Sequence, residues 1–136
     1  MARQVVSPPE LAQLVAATGF SPAVRAGDFL FLTGVTGGDA KGVMPPDVAA
    51  QVRNALGKAL HIIGAAGGTA DSIVELTSYH IGLKYHFDQV DHVIRDMLGL
   101  PLPAWTAVEV ADLRRPGALI ECRIVAHLPP AKPDRK

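Results

Sequence analysis

Four consecutive apolar residues, Phe29-Leu30-Phe31-Leu32, and the shorter runs Leu119-Ile120 and Ile124-Val125-Ala126, fall in segments that read as β-strands. Successive side chains of a strand point to opposite faces of its sheet. Unbroken apolar runs therefore send hydrophobic groups to both sides, as in strands buried on both faces. The rest of the sequence supplies two long helices, and two helices cover one face only. The other face calls for a layer that a single chain does not provide, so the pattern predicts an obligate homo-oligomer.

The helices are legible from spacing. Pro45-Pro46-Asp47 opens the first, and Val48, Val52, Leu56, Leu60 and Ile63 recur on one face, widened by Ala49, Ala55 and Ala59. Glycines at 64, 67 and 68 end it. Phe87, Val90, Ile94 and Met97 mark a second helix, stopped by Gly99 and Pro101. Strands are predicted at residues 20–24 and 28–33 about the turn Arg25-Ala26-Gly27, then at 73–81, 105–110 and 119–126, the last two meeting across a loop at 112–117. Residues 34–44, with four glycines, read as a loop. The order β-β-α-β-α-β-β, with room for an edge strand near Val5, predicts an α+β domain whose mixed sheet carries both helices on one face. At 136 residues the chain fits one domain, 1–136, with a flexible tail at 129–136 that holds three prolines and four charges.

Hydrophobic residues make up 49% and charged residues 19%, a balance that fits a soluble domain and neither a disordered chain nor a membrane protein. Formal net charge is zero, and Arg114-Arg115 and the terminal lysines are the only basic clusters. Nucleic acid is not an expected partner, because such affinity rests on phosphate neutralisation by a basic face. The single cysteine, Cys122, permits no internal disulfide, and the opening residues lack a long apolar leader, so a cytoplasmic location is expected. His61, His86, His92 and His127 form no pair spaced for metal ligation, and neither Gly37-Gly38 nor Gly67-Gly68 has the context of a phosphate or dinucleotide loop. The expected partner is a small molecule, taken up without metal or cofactor.

Glu121 stands in an otherwise apolar strand, where desolvation raises a carboxyl pKa toward the range of general acid/base work. His80 shares a face with Ser78, opposite Tyr79, and suits either a proton shuttle or a hydrogen-bonded packing role. Cys122 alternates away from Glu121 and Arg123 and reads as packed.

Phe20-Ser21-Pro22-Ala23-Val24, Phe31-Leu32-Thr33-Gly34, Val52-Arg53-Asn54-Ala55-Leu56 and Pro103-Ala104-Trp105-Thr106-Ala107-Val108-Glu109-Val110, in this order and spacing, resemble the Rid (YjgF/RidA/L-PSP) superfamily over about residues 20–127. The resemblance implies a chorismate-mutase-like α+β domain, a homotrimer, and a ligand cleft at each subunit interface. It casts Glu121 as the group that activates the hydrolytic water of an imine deaminase. Trp105 takes the place of the arginine that in the deaminase branch binds the substrate carboxylate. An arginine fork gives two parallel charge-assisted bonds, each worth roughly 1.5–3 kcal/mol, whereas an indole offers one neutral N–H. Thr77-Ser78-Tyr79-His80 and Trp105-Thr106-Ala107-Val108 resemble the YjgH-like branch, which lacks that arginine.

The resemblance also implies catalytic roles for Glu121 and His80. It assigns substrate-binding roles to Trp105, Thr106, Ala107, Phe20, Thr33, Gly34 and Asp91, with a surface pairing to Arg95 as the other reading of Asp91. Arg114 and Arg115 would replace the missing cation only by folding in from their loop, and the polar, mobile character of that loop disfavours this. The expected function is hydrolysis or tautomerisation of a reactive imine or enamine, without the standard 2-imino acid deaminase clamp. A non-catalytic metabolite-binding or regulatory trimer is the alternative. An endoribonuclease or translation inhibitor is a further one, which the neutral charge disfavours.

Overall fold

The computed structural model describes residues 3–130, so most of the expected tail, from 131 on, lies outside the described residues. The elements are β1 (Gln4–Val6), α1 (Ala12–Thr18), β2 (Ala23–Ala26), β3 (Phe29–Leu32), β4 (Val35–Thr36), α2 (Val48–Ala65), β5 (Ile73–His80), α3 (Leu83–Leu98), β6 (Ala104–Glu109) and β7 (Ile120–His127). The strands form one sheet in the order β1-β2-β3-β7-β5-β6, with β4 also paired to β7. Every pairing is antiparallel except β5 with β6. Parallel neighbours need a crossover, and α3 supplies it.

Local chemistry sets the helix ends. The Asp47 side chain accepts from the Ala50 N–H and caps α2. At α3 the cap is borrowed from another element: the Glu109 carboxylate at the end of β6 accepts from the N–H groups of Leu83 (2.7 Å) and Gly82 (3.1 Å). Those bonds hold the Glu109 carboxyl below its usual pKa range. Gly82 has φ +72, a turn conformation in which a side chain would be strained.

Two helices, α2 and α3, pack on each other, and α2 lies on β7. Between helices and sheet the core holds Leu30, Leu56, Ile63, Leu76, Ile94, Ile120 and Ile124, each buried. Each such side chain removed from water contributes about 1.5–3 kcal/mol. β7 shows the alternation clearly: Ile120, Cys122, Ile124 and Ala126 are buried, while Glu121, Arg123, Val125 and His127 point to the opposite face. Neither α2 nor α3 covers that second face. Its register places Val5, Val24, Phe31 and Val125 in one row across four strands, and Phe31 and Val5 remain 39% and 47% exposed.

The domain is α+β with a mixed sheet, as expected, but it has three helices rather than two. Short, mostly exposed α1 was not foreseen, and residues 35–36, read as loop, form β4. The edge strand near Val5 is present as β1. Among the described residues no helix is long and apolar enough to cross a membrane, and no group of three His, Cys, Asp or Glu is placed to hold a metal.

Candidate functional site

On the sheet face that lacks α2 and α3, Glu121 of β7 lies against the backbone of Gly34, between β3 and β4. A methyl group at position 34 would sit 2.7 Å from Glu121 Oε2 and 3.0 Å from Cδ, so only glycine lets the carboxyl lie there. Beside this contact a cleft of about 410 Å³ opens. Of the residues expected at the site, Glu121, Gly34, Thr33 and Phe20 line it together. The Thr33 hydroxyl donates to the Ser21 carbonyl (2.5 Å) and fixes the turn that presents Phe20.

The cleft also contains groups not expected there, from α1 and α2, and the Arg114-Arg115 pair considered above as a replacement cation. α1 contributes Leu14, Val15 and Thr18, and α2 contributes Lys58 and Ile62. Arg114 and Arg115 reach it from the β6–β7 loop, with the Arg114 guanidinium 5.3 Å from the centre of the Phe20 ring. That loop is fastened by Gln51, a fully buried amide on α2. Its Nε2 donates to the carbonyls of Pro45 (2.7 Å) and Gly117 (3.0 Å), and its Oε1 accepts from the Leu119 N–H (2.8 Å). The available signal for Gln51 was a polar residue three positions from Val48, inside the apolar stripe of α2.

The remaining expected residues lie elsewhere. Trp105 and Ala107 pair in register with Leu76 and Ser78, on the helix-covered face of the sheet. The indole N–H donates to Ser78 Oγ (2.8 Å), and its ring stacks on Phe87 of α3 at 5.5 Å between centroids. Ser78 Oγ lies 2.6 Å from His80 Nε2. The serine hydroxyl thus bridges the indole N–H and the imidazole Nε2, linking Trp105 to His80 through one oxygen. His80 is fully buried, and that burial, helped by nearby His86, pushes its pKa down to about 4. Within one subunit His80 and Trp105 are thus separated from Glu121 by the sheet, and the direct assistance expected of His80 is not met there. His80 Nδ1 and His86 Nε2 are buried without a partner among the described residues.

Thr106 pairs with Thr77 and faces the same side as Glu121, but it does not line the cleft. Asp91 is absent from the lining as well. It forms an ion pair with Arg95 one turn on (3.0 Å), the surface alternative rather than the cleft role. Cys122 is packed in the core, where burial pushes its thiol up to about 12.

The family model for Endoribonuclease L-PSP matches residues 10–128. The RutC family protein YjgH of Escherichia coli K12 is 34% identical over 128 residues, covering 93% of this chain and 96% of that protein. A 3-aminoacrylate deaminase, RutC of Acinetobacter baylyi, is 33% identical over 126 residues, covering 90% and 92%. The solved structure of protein YJGH superposes with a TM-score of 0.85 at 33% identity, covering 96% of this chain and all of that one. Matched over most of its length in sequence and in fold, the chain belongs to the Endoribonuclease L-PSP family, the YjgF/Rid group.

Proposed function

We propose that the protein hydrolyses or tautomerises a reactive imine- or enamine-type small molecule, with Glu121 handling the water or proton. The observation that carries this is the seating of Glu121 against Gly34 in a cleft beside Phe20 and Thr33, where one carboxyl faces a largely apolar space able to take a small molecule. Similarity to a protein named as a 3-aminoacrylate deaminase supports the reaction class. The standard 2-imino acid clamp is not part of the proposal, because position 105 holds an indole whose N–H is already bound to Ser78.

The working unit in this proposal is a cytoplasmic homotrimer. Two features favour it: the uncovered apolar row on the Glu121 face, and the placement of Trp105 and Ala107 on the other face of edge strand β6. Residues on opposite faces of one sheet share a cleft only when a neighbouring subunit brings them together. His80 then acts as a positioning residue, holding Ser78 and through it the indole.

Ammonia release from a panel of imines and enamines, made in situ from amino acids and amines, tests the reaction. Glu121→Gln should fold as the wild type and lose at least a hundredfold in rate. Wild-type release by that variant would refute the proposal. The apolar lining from Leu14, Val15, Val35 and Ile62 favours a second possibility, a metabolite-binding trimer without turnover. Saturable ligand binding with no product from any member of the panel would establish it.

A further inference from the structure

We propose that Lys58, Arg114 and Arg115 form an anion subsite of the Glu121 cleft, built for a small molecule with a doubly charged anionic group, a phosphate monoester or a dicarboxylate. The proposal uses the location of the cleft from the functional assignment above but not the chemistry of Glu121.

Three cations reach one cleft from two segments far apart in sequence, and Glu121 is the only acidic side chain among the described residues that line it. None of the three is in an ion pair among the described residues, where the pairs are Arg25–Asp28, Arg53–Asp96, Arg95–Asp91 and His61–Glu10. Three positive charges against one negative leave two uncompensated, which a dianion neutralises and a monoanion does not.

The cations are also held in place. Arg115 Nη2 donates to the Gly42 carbonyl at 3.3 Å, and the Arg115 carbonyl accepts from the Ala118 N–H at 3.1 Å. Arg114 stacks over Phe20, and Gln51 ties the following residues, Gly117 and Leu119, to α2. Gathering like charges costs free energy, and Lys58 registers it: partial burial and then the neighbouring Arg115 lower its pKa. A bound anion relieves that repulsion and forms charge-assisted bonds in its place.

The test is binding of inorganic phosphate, succinate and acetate to the full-length protein at pH 7.5, followed by calorimetry at two salt concentrations. Phosphate, succinate or both should saturate, at least tenfold tighter than acetate and more weakly at high salt. Saturation by only one of the two dianions would support the subsite and identify the source of its ligand. Lys58→Gln and Arg115→Gln should each weaken binding about tenfold or more, and Arg115→Lys should retain part of it. Lys84→Gln, a change to an exposed lysine outside the cleft, should leave it unchanged. Failure of both dianions to saturate, equal binding of acetate, or wild-type affinity in a folded Lys58→Gln, Arg115→Gln double variant would each overturn the proposal. Glu121→Gln should bind dianions as well as the wild type or better. Loss of turnover and loss of anion binding are therefore read separately, and either assignment can fail while the other stands.

Discussion

Replacing Gln51 with leucine removes three hydrogen bonds from a fully buried site while keeping side-chain volume nearly constant. The groups left behind are the carbonyls of Pro45 and Gly117 and the N–H of Leu119. Gly117 is exposed and Pro45 and Leu119 are half-buried, so water regains part of each bond and the full burial penalty does not apply. At about 1 kcal/mol per bond the loss is roughly 3 kcal/mol. For a domain of this size that lowers the melting temperature by about 10 °C. Thermal unfolding followed by circular dichroism reads it directly. The same change frees the loop that carries Arg114 and Arg115, so phosphate affinity should fall along with stability. Gln51→Glu, which keeps an acceptor for Leu119 but loses both donors at neutral pH, should be destabilised as well. A Gln51→Leu protein melting within 2 °C of the wild type, or above it, would show that the amide does not fasten the loop, and the reasoning would fail.

Gly34 has no left-handed backbone, so Gly34→Ala should fold with a melting temperature close to the wild type, yet its methyl group 2.7 Å from Oε2 displaces Glu121. Imine turnover should drop at least tenfold, and unchanged turnover would count against the seating of that carboxyl. His80 has its pKa lowered from 6.5 to about 4 in the folded protein. The unfolded chain therefore takes up a proton that the folded one refuses, and stability present above pH 6.5 is lost as the pH falls toward 4, by up to about 3 kcal/mol. Urea unfolding at pH 7.5 and 5 should show this decline, and His80→Asn should flatten it. Cys122, fully buried with its thiol pushed up to about 12, should resist a disulfide exchange reagent at pH 8 until urea is added.

Much of this architecture is visible in the residues. The Val48-to-Ile63 spacing and Asp47 define α2, because a buried helical stripe and a capping carboxylate are both local signals. Alternation along β7 places Cys122 inside and Glu121 outside for the same reason. Helix α1 escapes notice because it follows Pro8-Pro9, spans seven residues and buries none of them fully. Pairing decides the face of Trp105, since β6 is an edge strand whose own burial pattern is too weak to show its phase. Arg114 and Arg115 lie in a polar loop whose course is set by tertiary contacts, among them the hold of Gln51, more than sixty residues away in sequence, on Gly117 and Leu119 and the bond of Arg115 to the Gly42 carbonyl.

Glu121 is carried by a central strand and lies against a bare backbone, whereas the guanidinium groups hang from a surface connection that one amide fastens to a helix. Acid and bases thus have independent mountings. Substitutions at 114, 115 or 58 can retune which ligands enter without disturbing the strand beneath, so a scaffold of this kind can diversify its specificity while its reactive group stays where it is.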